Sequence, residues 1–266
     1  MDVARSRSQG PGMLAMGAWL ATRGLLAKVS LGLAGLAAFA SVIAALEVRG
    51  RPGVLALPSV AAPAIAWLVG ATLAFGASFQ ALRRDRDEGV LALARARGVA
   101  PGAYVRGRVG GLALVLLVSV GGATLVAGFA ATAASVPHAA ALRPAIAGLV
   151  YAVIFAVTFA PLALAALGTG TRSSGYMVLL AILIVPELLS PWTRAVLPAG
   201  WGELTSIPAA LEAVRVGVET GGGAALHAAR ALVGLAAVVV ASVFVVNARV
   251  AADGVDSLDP PARGRP

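Results

Sequence analysis

A chain in which apolar segments recur at the length of a bilayer crossing has few folds open to it, and this one carries six. Val109 to Ala134 runs without a charged side chain, and Val29 to Leu46, Ala62 to Leu82, Ala145 to Leu167, Gly175 to Leu189 and Ala228 to Val246 are also strongly apolar. A helix needs about 20 such residues to cross the hydrocarbon core. Hydrophobic residues make up 59% of the chain and charged residues 12%, about half the charged share of a soluble domain, so a water-facing surface cannot be covered. The expected fold is all-α: a polytopic membrane protein of about six transmembrane helices, one domain over residues 1–266. Residues 1–28 read as cytoplasmic tail and interfacial helix, 29–250 as the six-helix bundle and 251–266 as a flexible cytoplasmic tail.

The runs are rich in Ala and Gly, which let helix backbones approach closely where oily side chains gain nothing over lipid. The fifth is short, and Pro186 with Glu187 is expected to break or turn it within the membrane. Before the first run, Met13 to Lys28 is expected to lie along the inner leaflet, with Trp19 at headgroup depth and Arg23 and Lys28 reaching water. Arg5 and Arg7 precede an apolar stretch, but Arg23 follows at once without a small-residue cleavage pattern, so the N-terminus reads as retained.

The chain has 21 basic residues against 12 acids, a formal charge of +9. The basic residues cluster between apolar runs, which marks orientation and lipid headgroup contact and argues against nucleic acid. With the N-terminus inside, 15 of the 21 fall on the cytoplasmic side, among them Arg83, Arg84, Arg86, Arg95, Arg97, Arg106 and Arg108. The other six are Arg49, Arg51, Arg143, Arg194, Arg215 and Arg230. Both termini are therefore expected in the cytoplasm. Abundant Ala, Gly, Val and Arg with a single Lys point to a GC-rich bacterial genome and hence to a bacterial inner membrane.

Chemistry is sparse. The absence of cysteine excludes disulfides, thiolate metal sites and thiol nucleophiles. His138 and His227, the only histidines, fall at outer ends of runs and read as interfacial, with no cluster to hold a metal. Ser119 lies deep in the third run without a histidine at matched depth. No catalytic, cofactor or metal residues are assigned.

The informative segment is Asp85 to Arg108. Asp85, Asp87 and Glu88 precede Val90 to Arg97, and Arg95 and Arg97 close it, an order that suits the dipole of a short helix. Gly98 is a natural stop and Pro101 a natural first residue of the next helix. Val90, Leu93, Ala94 and Arg97 share one side, with Leu91 and Arg95 adjoining, a small apolar face suited to a partner's groove; the same residues also suit a solvated loop that only sets topology.

An acid and Gly directly after the second run, Glu88 and Gly89, then Leu91 and Leu93, a break at Gly98, and a close at Tyr104, Gly107 and Arg108 resemble the first cytoplasmic loop of type-2 ABC transporter permeases. Six spans, an interfacial N-terminal helix and an irregular outer segment before the last span are similar too. Gly98 stands where members commonly carry Pro, and Ala100 and Pro101 where they carry Ser then Arg. Ala94 to Val109 is also similar to the coupling loop of type-1 importers, but Leu93 and the Gly110, Gly111 pair depart from that loop's usual start and end.

The resemblance implies a noncatalytic permease subunit, an exporter, that pairs with a second permease copy or paralogue. Two cytoplasmic ABC ATPase subunits would drive it and carry the ATP and magnesium, with no cofactor on this chain. Glu88 to Arg97 would be the coupling helix, and Glu88, Gly89, Leu91, Leu93, Arg97 and Gly98 the ATPase-coupling residues. In agreement, no GK[ST] phosphate loop occurs; Gly168, Gly170 and Thr171 lack that context. The inner loop Gly168 to Ser174, with Arg172, reads as a tight turn or a second, smaller ATPase contact.

The outer segment from Pro186 to Gly223 holds Glu187, Trp192 and Trp201, candidate outer-gate residues that equally suit interfacial anchoring. Ile207 to Val218 is expected to be an amphipathic helix, with Leu211, Val214 and Val218 on one side and Glu212, Arg215 and Glu219 on the other. A secondary transporter, which needs charges at mid-membrane or an inverted repeat, and a noncatalytic assembly subunit are the competing functions.

Overall fold

A computed structural model describes residues 9–168, 174–197 and 206–256. Helix α1 (Gln9–Thr22) precedes α2 (Leu25–Glu47). A 3-10 turn at Pro52–Ala56 leads into α3, which runs as Leu57–Ile65, a π turn at Ala66–Gly70, and Ala71–Ser78. Two short helices follow, α4 (Ala81–Asp87) and α5 (Val90–Ala96). Helix α6 runs as Pro101–Leu116, a π turn at Leu117–Gly121, and Gly122–Ala134. The remainder is a 3-10 turn at His138–Ala141, α7 (Leu142–Leu167), α8 (Ser174–Val196), α9 (Ile207–Thr220) and α10 (Gly223–Asp256). No strand occurs among the described residues.

Six helical stretches are long and apolar enough to cross a membrane: Leu25–Glu47, Gly53–Asp87, Pro101–Ala134, His138–Leu167, Ser174–Thr193 and Gly223–Ala252. The fourth forms the centre, with 72% of its most apolar window buried, against 22% in the first, fifth and sixth. The contrast follows from composition, because α7 offers alternate small and aromatic residues that neighbours can pack against, whereas α2, α8 and α10 turn Leu, Val and Phe outward. Phe39, Met177, Val233 and Phe244 are all more than 60% exposed, as suits side chains solvated by lipid and not by water.

Around α7 the packing is aromatic. Trp67 sits edge-on to Phe155 and Phe159, centroids 5.4 and 5.6 Å away, while Phe155 and Phe159 stack at 4.8 Å. The Trp67 Nε1–H donates to Tyr151 Oη at 2.9 Å, so the half-buried indole is satisfied. The π turns of α3 and α6 meet beside this cluster. A side chain at Gly70 would put its Cβ 2.6 Å from Phe155 and 2.8 Å from Val120, which is why only glycine fits there.

Several sequence expectations shift. The fifth crossing does not break at Pro186; α8 continues through Pro186 and Pro191 to Val196. Each proline removes only one backbone donor, a loss that membrane helices tolerate. The N-terminal segment divides at Arg23 and Gly24, so Leu25 to Lys28 already belong to the first crossing and α1 stops at Thr22. The second crossing has its own break at Phe79 and Gln80, where Gln80 adopts a left-handed φ of 50°. Its freed amides are taken by α7: Gln80 N–H donates to Leu167 O at 3.0 Å and Leu82 N–H to Gly168 O at 3.1 Å. At the other terminus α10 stays helical to Asp256, past the expected start of the tail at Ala251; residues 257–266 lie outside the described residues.

Candidate functional site

Two glycines shape the segment between the second and third crossings. Gly89 and Gly98 both hold φ of 73°, the left-handed conformation that glycine adopts without steric cost. Gly98 N–H donates to Arg95 O at 2.8 Å and Val99 N–H to Ala94 O at 3.0 Å, the paired bonds of a Schellman stop. Ala100 then caps α6 in an extended conformation, with Pro101 as its first residue.

Beneath α5 lies a buried charge cluster. Asp85, on the last turn of α4, has no exposed surface. Arg108 Nε–H donates to its Oδ2 at 2.7 Å and Arg108 Nη2 to its Oδ1 at 3.1 Å, and Tyr104 Oη–H donates to Oδ2 as well. Tyr104 and Arg108 stand four residues apart, hence on one face of α6. The bidentate geometry and the third donor satisfy the carboxylate, which a buried charge requires. Arg23, between α1 and α2, completes the group: its Nη1 donates to Glu88 Oε2 at 2.6 Å and its Nη2 lies 3.7 Å from Asp85 Oδ1. Two cations thus meet two carboxylates where α1, α4, α5 and α6 converge.

Helix α1 reaches this point by backbone contact. A Cβ on Gly17 would stand 2.0 Å from Gly107 O, and one on Gly111 would stand 2.3 Å from Gly17 C. Gly107 and Gly111 are four apart, so they present one smooth stripe of α6 to α1. Gly111, in the third run, thus serves close helix packing as expected of the glycines of the runs, and Gly107, before that run, adds to the same contact with α1.

Of the predicted coupling residues, Glu88 does not begin a helix. It is the C-terminal cap of α4, and its charge serves Arg23 in place of the α5 dipole. Leu91 is 6% exposed and packs into the bundle core, whereas Leu93 is 54% exposed. The two leucines therefore face opposite ways, and only Leu93 is open to a partner. Arg97 and Gly98 are exposed at the far end of α5. Arg95 Nη2 donates to Val250 O at 3.4 Å, which ties α5 to α10. With α6 and α10 each 34 residues long as helical runs, about 51 Å at 1.5 Å per residue against a core of about 30 Å, both extend well past a membrane.

At the opposite end, Glu187 accepts from Ser206 Oγ–H, and Ser206 Oγ in turn accepts from Ala209 N–H at 3.3 Å as the N-cap of α9. Trp192 is exposed. Trp201 and Arg172 lie outside the described residues. Arg215, expected on the polar side of α9, is buried between two acids: its Nε–H donates to Glu212 Oε2 at 2.9 Å and its Nη1 to Glu219. Its guanidinium pKa is raised above the usual value, first by the Glu212 hydrogen bond, with burial opposing, so the clamp stays charged. Glu219 also accepts from Ser59 Oγ–H at 3.2 Å, joining α9 to α3.

Sequence reasoning missed Asp85 as a centre and Arg23, Tyr104 and Arg108 as its partners. The available signal was an arginine four residues after a tyrosine at the head of an apolar helix, facing an acid at the foot of the one before. No cluster of His, Asp and Glu able to hold a metal occurs among the described residues. The fold defines the class, an all-helical multi-pass membrane protein. Comparisons with protein-family models, with curated proteins and with solved structures find no match to this chain.

Proposed function

We propose that this chain is the membrane-spanning permease subunit of an ATP-driven exporter, with α5 as the helix through which a partner ATPase moves the bundle. The observation that carries the reading is the anchoring of α5. A free topogenic loop needs no fixed orientation, but α5 is bound at its N-terminal side through Glu88 to Arg23, below through Leu91, and at its C-terminal side through Arg95 to α10. Displacement of such a helix is transmitted at once to α1, α4, α6 and α10, because the Asp85 cluster and the Gly17 contact leave no slack between them.

In this reading α1 lies at the cytoplasmic interface, both termini are cytoplasmic, and the membrane is the bacterial inner membrane. Two ATPase subunits bearing ATP and magnesium dock on the Leu93 side of α5, and a second permease copy or paralogue completes the transporter. The chain itself performs no catalysis. A secondary transporter is less well supported, since of the buried charged residues among those described Asp85 and Arg108 sit toward the ends of their crossings and Arg215 lies on α9, outside the crossings, and all three pair with protein groups.

The test is Leu93→Asp, a change at an exposed position that leaves the Leu91 anchor in the core. Membrane abundance is expected to stay at the wild-type level, while a copurifying subunit with magnesium-dependent ATPase activity is lost. A charged residue in an apolar anchor site commonly costs about 2 kcal/mol or more. If the variant keeps the same partner in the same amount, α5 is not the coupling contact.

A further inference from the structure

The ends of α2 and α6 farthest from the Asp85 cluster enclose a groove of about 270 Å³. Ala45 and Ala134 form its floor, 2% and 5% exposed, and Leu46, Ala130 and Ala133 its sides. Arg49 stands at the mouth, one turn beyond Ala45 on the same face of the chain. The loop after α2 is held beside it by Gly50 N–H donating to Ala134 O at 3.2 Å. Neither Arg49 nor Arg51 has a carboxylate partner among the described residues.

We propose that this groove is a binding site for an anionic phospholipid, one acyl chain lying on the alanine floor and the phosphate paired with Arg49. The volume is below the roughly 300–1,000 Å³ typical of pockets for compact ligands and suits a single chain segment. Its walls are apolar and belong to two membrane-crossing stretches, so the medium they meet is hydrocarbon. Small side chains make the floor because a larger residue would fill it. The cation is at the end of the crossing, the depth of a headgroup, and Arg51 two residues on favours a lipid of net negative charge. A second copy of the chain fits worse. Across a two-fold axis the same patch meets itself, and Arg49 and Arg51 of both copies would be brought together with Glu47 as the one neighbouring acid in each, two cations to one carboxylate.

The test uses the full chain in nanodiscs of phosphatidylcholine titrated with a diazirine-tailed phosphatidylglycerol, with crosslinked peptides mapped by mass spectrometry. Saturable labelling of 42–49 and 130–134 is expected. Arg49→Gln raises the half-saturation roughly fivefold, the equivalent of about 1 kcal/mol for one arginine at a membrane surface, and Arg49→Lys restores most of it. Ala133→Phe fills the groove and abolishes the labelling; both positions are exposed, so folding is spared. Labelling of the exposed Phe244 face of α10 serves as the measure of bulk lipid. The proposal is overturned if groove labelling fails to saturate or matches that face in all variants. The outcome is independent of ATP coupling, which is read by Leu93→Asp.

Discussion

Replacing Asp85 by Asn removes one negative charge from a site with no solvent exposure while keeping the side chain's shape. Arg108, 3% exposed, is then left charged with no close counter-ion, because Glu88 is engaged with Arg23 at 2.6 Å. Loss of one partner from a buried pair costs about 3–5 kcal/mol, and the acceptor oxygen that Asn retains places the change near the low end. At about 2–4 °C per kcal/mol for a chain of this size, a loss of about 3 kcal/mol lowers the melting temperature in detergent by roughly 6–12 °C. The damage should be local as well as global. Hydrogen exchange over residues 81–100 should quicken, since α4 and α5 lose their tie to α6, while the aromatic centre around Phe155 keeps its protection. A compensating variant isolates the cause: Asp85→Asn with Arg108→Met removes the orphaned cation and should recover much of the melting temperature. By contrast Arg23→Gln, whose partner Glu88 has a 45% exposed side chain, should cost under about 1 kcal/mol. If Asp85→Asn melts like the wild type with residues 81–100 equally protected, the cluster does not hold α5 and the transmission argument fails with it.

Three further outcomes are expected. Gly17→Val should drive α1 off α6 and reduce the monodisperse fraction on gel filtration, whereas Gly12→Val, with nothing within 4 Å of its Cβ, should behave as wild type. Because the chain lacks cysteine, single cysteines report sidedness directly: Ala92→Cys and Ala262→Cys should react only with reagents that reach the cytoplasm, and Gly53→Cys and Gly222→Cys with impermeant ones outside; labelling of position 92 in intact cells reverses the orientation. The purified chain alone should neither bind nor hydrolyse ATP in an equilibrium binding and phosphate-release assay, and stoichiometric ATP binding would sink the permease reading.

What the sequence determined by itself is whatever depends on near neighbours along the chain. Uninterrupted apolar runs placed the six crossings to within a few residues at many ends, because transfer to hydrocarbon is summed locally over one helix. Gly98 and Pro101 marked the end of α5 and the start of α6 through backbone rules that involve no distant group. The periodicity of Leu211 and Val214 revealed α9. Tertiary structure decided the rest. Asp85 stands in a run of charges, Arg83 to Glu88, in which no local feature singles out the one that will be buried; Arg108, 23 residues away, makes that choice by facing it from another helix. Leu91 and Leu93 are the same residue type two positions apart, and only contact with the bundle assigns one to the core. Arg215 divides between the two: its pairs with Glu212 and Glu219 lie three and four residues away on α9 and are local, whereas its burial comes from the packing of α9 against α7 and α10. Charges and pairs are settled by which surfaces meet, and that is fixed by how the helices pack, which local pattern does not encode.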